Sequence, residues 1–292
     1  MRRRKSKIRA SLAKLWPSAR LRRRVLRQFR RALRQFRRAL RQLRRAPHSM
    51  QALAGLTIAV ILWFALNWMY QVVRKPSELL FPVSGTLNKT PPETWWQYSP
   101  LFQRYSTPVM SAELLAALAQ VEGSGNPVVR TYWRWSFNPK PFDVYRPASS
   151  AVGMYQITDG TFAEARRYCI HDHGVVEDGP WNEWHSCWFN RLYTRVIPSH
   201  AVELTSAYLD RGVASALEHH HVRSATLEQK QELAALIHLC GAGAGDVYVR
   251  RGLRLAEGQK CGDHGARDYI ARVNGYKRVF ETIERTNAAG SR

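Results

Sequence analysis

Acidic residues are absent from the first 77 positions of this 292-residue chain, and the first carboxylate is Glu78. Residues 1–46 hold 20 Lys and Arg, and Arg74 and Lys75 follow. The 23 basic and 22 acidic residues beyond position 75 leave a net of +1, so the overall +23 belongs to a leader. That asymmetry excludes a protein basic over its whole surface. The leader also lacks a base-reading motif, so nucleic acid is not the expected partner.

Ionisable acids and bases are missing as well from residues 50–73, MQALAGLTIAVILWFALNWMYQVV. At ~1.5 Å per residue this stretch is long enough to cross a hydrocarbon core of ~30 Å. No A-x-A-like site follows it, which argues against a cleaved signal peptide. Its length and flanks argue against a buried core helix. The arginine excess precedes the span, so the N-terminus is expected in the cytoplasm and the C-terminal part outside the membrane. Trp68 and Tyr70 fall where the far interface would lie.

Cysteine is absent before position 169, and no C-x-x-C pair occurs. The missing pair argues against a zinc ribbon. Four cysteines in an exported domain, Cys169, Cys187, Cys240 and Cys261, suggest two disulfides. Three pairings are open. The local one, Cys169–Cys187 with Cys240–Cys261, closes the shortest loops, each worth ~3 kcal/mol in the chain-entropy model.

The leader, residues 1–47, repeats RQFRRAL at 27–33 and 34–40 and continues with RQLRRAP at 41–47. Leu26, Phe29, Leu33, Phe36, Leu40 and Leu43 recur at spacings of three and four, a narrow apolar stripe on an arginine-covered helix. Such a helix suits the surface of anionic inner-membrane lipids; a short coiled coil is the alternative. Residues 74–107 are rich in Pro, Ser and Thr and are expected to form an extended linker, with Trp95, Trp96 and Tyr98 packing on the domain behind it.

Long runs of alternating polarity are missing throughout, so residues 108–288 are expected to be an all-α domain. Ser111 suits the N-cap of SAELLAALAQVE, whose Leu115, Leu118 and Glu122 share one stripe, with Gly123 as the stop. Asp159 is expected to cap a helix through TFAEARRY, and Thr226 with Gln229 forms a capping box. The last helix spaces Tyr269, Val273, Tyr276, Phe280 and Ile283 at four, three, four and three.

The stretch AQVEGSGNP (119–127) puts one carboxylate, Glu122, at the end of an apolar helix. Burial against such a face favours the neutral form of a carboxyl group, the form a general acid needs. A glutamate at a helix end is, taken alone, more often structural than catalytic. AQVEGSGNP, SSAVGMYQITDGTF (149–162), LCGAGAG (239–245) and RDYIARVNGY (267–276) together resemble, in this order, the motifs of the lysozyme-like lytic transglycosylases of the soluble-lytic-transglycosylase family. The resemblance covers roughly residues 108–285. It implies a lysozyme-like fold, a peptidoglycan glycan strand as substrate, no cofactor, and a catalytic domain in the bacterial periplasm.

Carried over position by position, Glu122 falls on the catalytic acid. Gly123 stands where the family has serine, and Ser124 follows it. Gly153, Met154, Tyr155 and Gln156 match a Gly-Leu-Met-Gln turn whose glutamine bonds the sugar, with Ser150 just before it. Gly241 replaces the asparagine of an Asn-Ala-Gly segment, and Tyr269 matches a tyrosine facing the catalytic centre. No second acid accompanies Glu122 in sequence; Asp143 and Asp159 come nearest. The resemblance implies chemistry that needs only one, in which the substrate's own N-acetyl group assists and a 1,6-anhydro ring forms without water.

A hydrolytic lysozyme using the same glutamate, or a non-catalytic wall-binding anchor of an envelope complex, are the alternatives. A membrane-tethered enzyme of this kind would suit a secretion or conjugation apparatus as partner. Residues 128–148 form an aromatic insertion that suits either a glycan groove or a flap, and 169–198 a second insertion with Trp181, Trp184 and Trp188. The clusters His171–Asp172–His173 and His219–His221 lack further ligands at metal-site spacing, so no metal is expected.

Overall fold

A computed structural model describes residues 41–290, except 81–83, 138 and 184, together with scattered positions between 28 and 38. Most of the leader helix, with Leu26, Phe29, Leu33, Phe36 and Leu40, and Trp184 lie outside the described residues. The chain divides into two units, Met1–Trp68 and Met69–Arg292. Helix α1 (His48–Arg74) is the one helix among the described residues long and apolar enough to cross a membrane, with a mean hydropathy of 1.9 and none of that window buried. Its leucines and isoleucines are exposed.

The second unit is mainly helical and is built around α3 (Ala112–Gly123). The Ser111 hydroxyl accepts from Leu114 N and caps its start, as expected. Leu114, Leu115 and Leu118 are fully buried, and so are the alanines between them. A helix apolar on every face has to be central, and alanine lets its neighbours approach closely. Its end differs from the sequence expectation. Gly123 is still helical, and the left-handed turn is made by Ser124 (φ 49°) and Gly125 (φ 63°), whose N–H groups return to Gln120 and Ala119.

Residues 74–107 do not form an extended linker. They contain α2 (Pro91–Arg104), started by a capping box between Thr90 and Glu93 and by Pro91 in its first turn. Trp95, Tyr98 and Phe102 of α2 are buried, Trp95 stacks on Phe280 at 5.7 Å, and Trp96 stays exposed. The Pro/Ser/Thr content that suggested a stalk is used instead as capping chemistry. Further upstream, buried Glu78 accepts from Arg130 (2.9 Å) and from the Trp133 indole (3.0 Å), with the Lys75 ammonium 3.6 Å away.

Three antiparallel hairpins interrupt the helices, each too short for alternation to be visible in sequence. Strands β1 (Trp133–Trp135) and β2 (Tyr145–Pro147) pair within the aromatic insertion. Helix α4 (Asp159–Ala165) is capped by Thr158 rather than Asp159 and stops before Tyr168, because Tyr168 opens β3 (Tyr168–His171). Strand β3 pairs with β4 (Gly174–Glu177) through a two-residue turn at Asp172 and His173, both at positive φ, as primed hairpin turns require.

Helices α5 (Pro198–His219), α6 (Leu227–Cys240) and α7 (Ala242–Arg250) then pack on one another. The Thr226–Gln229 capping box opens α6 as expected. A small hairpin, β5 (Lys260–Cys261) and β6 (His264–Gly265), leads to α8 (Ala266–Gly290). Tyr269, Val273 and Phe280 of α8 are buried, and Tyr276 and Ile283 pack beside them, the face its spacing predicts. The disulfides are Cys169–Cys187 and Cys240–Cys261, tying β3 to the short 3-10 helix Cys187–Leu192 within the second insertion, and α6 to β5.

Candidate active site

Gly123, Gly125 and Asn126 of AQVEGSGNP each have a steric or hydrogen-bonding reason. A Cβ added at Gly123 would lie 2.9 Å from the carbonyl oxygen of Met154 and 3.0 Å from its Cα, so this helix end touches the following turn backbone to backbone. Gly125 combines a positive φ with the Thr94 hydroxyl directly above it. Asn126 is buried; its amide donates to Asn88 Oδ1 (2.8 Å) and to the Ser84 carbonyl, and its oxygen accepts from Val128 N (2.9 Å). The stretch is thereby clamped at Gly123, Gly125 and Asn126, which fixes the helix end that carries Glu122.

Glu122 is 19% exposed. The Tyr269 hydroxyl donates to its Oε1 at 2.6 Å, and His238 Nε2 stands 3.6 Å from the same oxygen. Among the described residues Oε2 has no hydrogen-bond partner. Burial, and after it the charge and hydrogen bond of Glu122, push the Tyr269 phenol well above its ordinary value, so it remains a donor. Burial holds the His238 imidazole below its ordinary value against the opposing pull of Glu122, which keeps the ring neutral at pH 7. Glu122 therefore has one strong neutral donor, one neutral imidazole at its edge, and one oxygen left over.

The turn that carries the Gly-Met-Tyr-Gln sequence is built between Val152 and Ile157, which exchange two backbone hydrogen bonds of 3.1 Å. Gly153 (φ 81°) lies under the Arg195 carbonyl, where no side chain fits. Met154 and Tyr155 do not line a sugar site. Both are fully buried, and the Tyr155 hydroxyl donates to Leu115 O of α3 at 3.1 Å, so they bolt the turn to the central helix. The Gln156 amide donates to Gly153 O (2.9 Å) and Val129 O (3.4 Å), stabilising its own turn. Ser150 Oγ accepts from Asp159 N at 3.1 Å, and the Ser124 carbonyl accepts from Lys89 N at 2.8 Å.

Gly241 links α6 to α7 at φ 80° and ψ 169°, a backbone region essentially reserved for glycine. The resemblance would place an asparagine there, which this backbone excludes. No atom lies within 4 Å of a Cβ at Gly241, so the site above it is open.

Two contributors escaped the sequence reading. His238 stands two residues before Cys240 in LIHLCGAGAG, and its helical spacing alone could have placed it on the face of α6 turned toward α3. Arg195 has no local signature; its guanidinium donates to Ser150 O (3.0 Å) and Ile157 O (2.9 Å) and pairs with Asp159 at 2.8 Å, closing the turn onto α4. That pairing occupies Asp159, and Arg74 occupies Asp143 at 3.2 Å, so neither stands as a second acid for Glu122. Glu203, buried beside a cavity of about 530 Å³, accepts from Ile170 N and Tyr193 Oη and serves as an anchor for β3.

No protein-family model, no curated protein and no solved structure matches this chain.

Proposed function

We propose that the second unit is a peptidoglycan lytic transglycosylase with a lysozyme-like fold, held by α1 as a single-pass anchor with its N-terminus in the cytoplasm, and that Glu122 is its general acid and base. The observation that carries the reading is convergence. The first, second and fourth motifs of the resemblance lie far apart in sequence, yet they come together around one carboxylate. Glu122 lies in the first, the second touches Gly123 through Met154, and Tyr269 of the fourth reaches Glu122 across 147 positions, while His238, just before the third, stands 3.6 Å from it.

The arrangement suits a single-acid mechanism. With Oε1 accepting from Tyr269, the proton of the neutral acid sits on Oε2, the unengaged oxygen. From there it passes to the glycosidic oxygen between N-acetylmuramic acid and N-acetylglucosamine. The N-acetyl carbonyl of the muramic residue attacks its own anomeric carbon as that bond breaks. The carboxylate then takes the proton of the 6-hydroxyl, whose oxygen attacks the anomeric carbon, displaces the N-acetyl oxygen and closes the 1,6-anhydro ring. Retaining and inverting glycosidases usually place a second carboxylate opposite the first; the engagement of Asp143 and Asp159 by arginines favours the substrate-assisted route over it.

The test is glycan release from purified sacculi by the full chain in detergent, compared with Glu122→Gln at matched thermal stability. Loss of release in the variant is expected. Release at the wild-type rate by a folded Glu122→Gln protein overturns the assignment.

A further inference from the structure

The histidine run that ends α5 has no third ligand near it in sequence, but the fold supplies one from α7. His219 Nδ1 lies 3.6 Å from Asp246 Oδ1, and His220 Nε2 lies 3.6 Å from the same oxygen. One ligand atom from each of the three residues lies within 4.8 Å of the other two. The two separations from Asp246 are too long for hydrogen bonds. They come close to the edges of a coordination tetrahedron, since ligands bound at 2.0–2.2 Å stand roughly 3.3–3.6 Å apart.

Two independent observations point to a ligand. His220 Nε2 is shielded from solvent and has no hydrogen-bond partner among the described residues, an arrangement proteins seldom leave uncompensated. A cavity of about 220 Å³ opens beside the cluster, lined among others by His219, Asp246, Glu164 and Tyr168.

We propose that His219, His220 and Asp246 form a site for a late first-row divalent cation such as zinc, with its fourth position open to the cavity. Two imidazoles and one carboxylate select such ions over magnesium or calcium, which prefer oxygen donors. The ion bridges the end of α5 to α7, the helix that starts directly after Gly241. It therefore braces the α6–α7 connection from the side opposite the Cys240–Cys261 disulfide in sequence.

The experiment uses the full chain in detergent, stripped with chelator and kept free of reductant, and titrated calorimetrically with zinc, magnesium and calcium. One zinc per chain is expected, with no comparable magnesium or calcium binding. Asp246→Asn and His219→Gln should each weaken zinc by at least about a hundredfold, the upper end of what losing even an outer partner costs. His219 is 70% exposed, so its replacement leaves folding intact, which circular dichroism checks. His171→Gln, outside the cluster, should bind zinc like the wild type. Absence of stoichiometric zinc binding in the wild type, or unaltered binding by Asp246→Asn or by His219→Gln, overturns the proposal.

Discussion

The Tyr269 hydroxyl donates to Glu122 Oε1 at 2.6 Å, joining the last helix to the end of the central one. Once Glu122 has given up its proton this is a hydrogen bond to a charged group, which contributes roughly 1.5–3 kcal/mol, and an acid that must give and then retrieve a proton needs a fixed orientation. Tyr269→Phe keeps the buried ring and removes only this bond. Glycan release should fall by about tenfold to a hundredfold, the same energy expressed as a rate. Fluorescence melting, checked alongside, should show the fold retained.

His238 makes stability depend on pH in a defined direction. Its folded-state value lies below the ordinary 6.5, mainly through burial. The stabilisation is fully present above pH 6.5 and is lost as pH falls toward the depressed folded value, because the unfolded chain takes up a proton that the folded one resists. Urea unfolding at pH 7.5 and at pH 5.5 should show a smaller difference in His238→Gln than in the wild type. An equal difference in both proteins contradicts the burial of a neutral imidazole.

Gly123 stands where the resemblance would have serine, and the structure leaves no room for one. Serine there brings a Cβ to 2.9 Å from backbone of the 153–156 turn, which cannot yield as a flexible side chain could. Gly123→Ser should destabilise the domain by about 1–3 kcal/mol, the usual cost of overpacking, measured by chemical denaturation. It should not raise activity. An equally stable, more active Gly123→Ser protein would show that the α3 end and the turn are further apart than described.

A second pH-sensitive pair sits between α3 and α8. The hydrogen bond that the Glu284 carboxyl donates to Glu113, followed by burial and by the Glu113 charge, raises Glu284 to about 7. For a carboxyl with a raised folded value, the stabilisation is fully present below its ordinary 4.5 and disappears as pH rises through about 7. Carbon-detected NMR of the Glu284 carboxyl should show a midpoint near neutrality that moves back toward 4.5 in Glu113→Gln. A wild-type midpoint already at 4.5 contradicts the pairing.

Much of the helical frame was legible because it rests on local chemistry. The Ser111 cap, the Thr226–Gln229 box and the Tyr269-to-Ile283 stripe all appear as their residue types require. The 74–107 segment was not legible, since proline and threonine serve equally as linker residues and as the first turn of α2. The hairpins escaped because two to four residues cannot display a period. At the candidate site, Glu122 and Tyr269 were legible from motif order, whereas Met154 and Tyr155 look like ligand residues in sequence and are core bolts in the fold. His238, Arg195 and the meeting of His219 and His220 with Asp246 depend on contacts between helices that no local pattern encodes.

Mass spectrometry of the soluble products from purified sacculi tests the central claim most directly. The full chain should release muropeptides ending in 1,6-anhydro-N-acetylmuramic acid, each lighter by one water than its hydrolysed counterpart, and Glu122→Gln should release none. Products with reducing ends, or anhydro products undiminished in Glu122→Gln, would contradict the account.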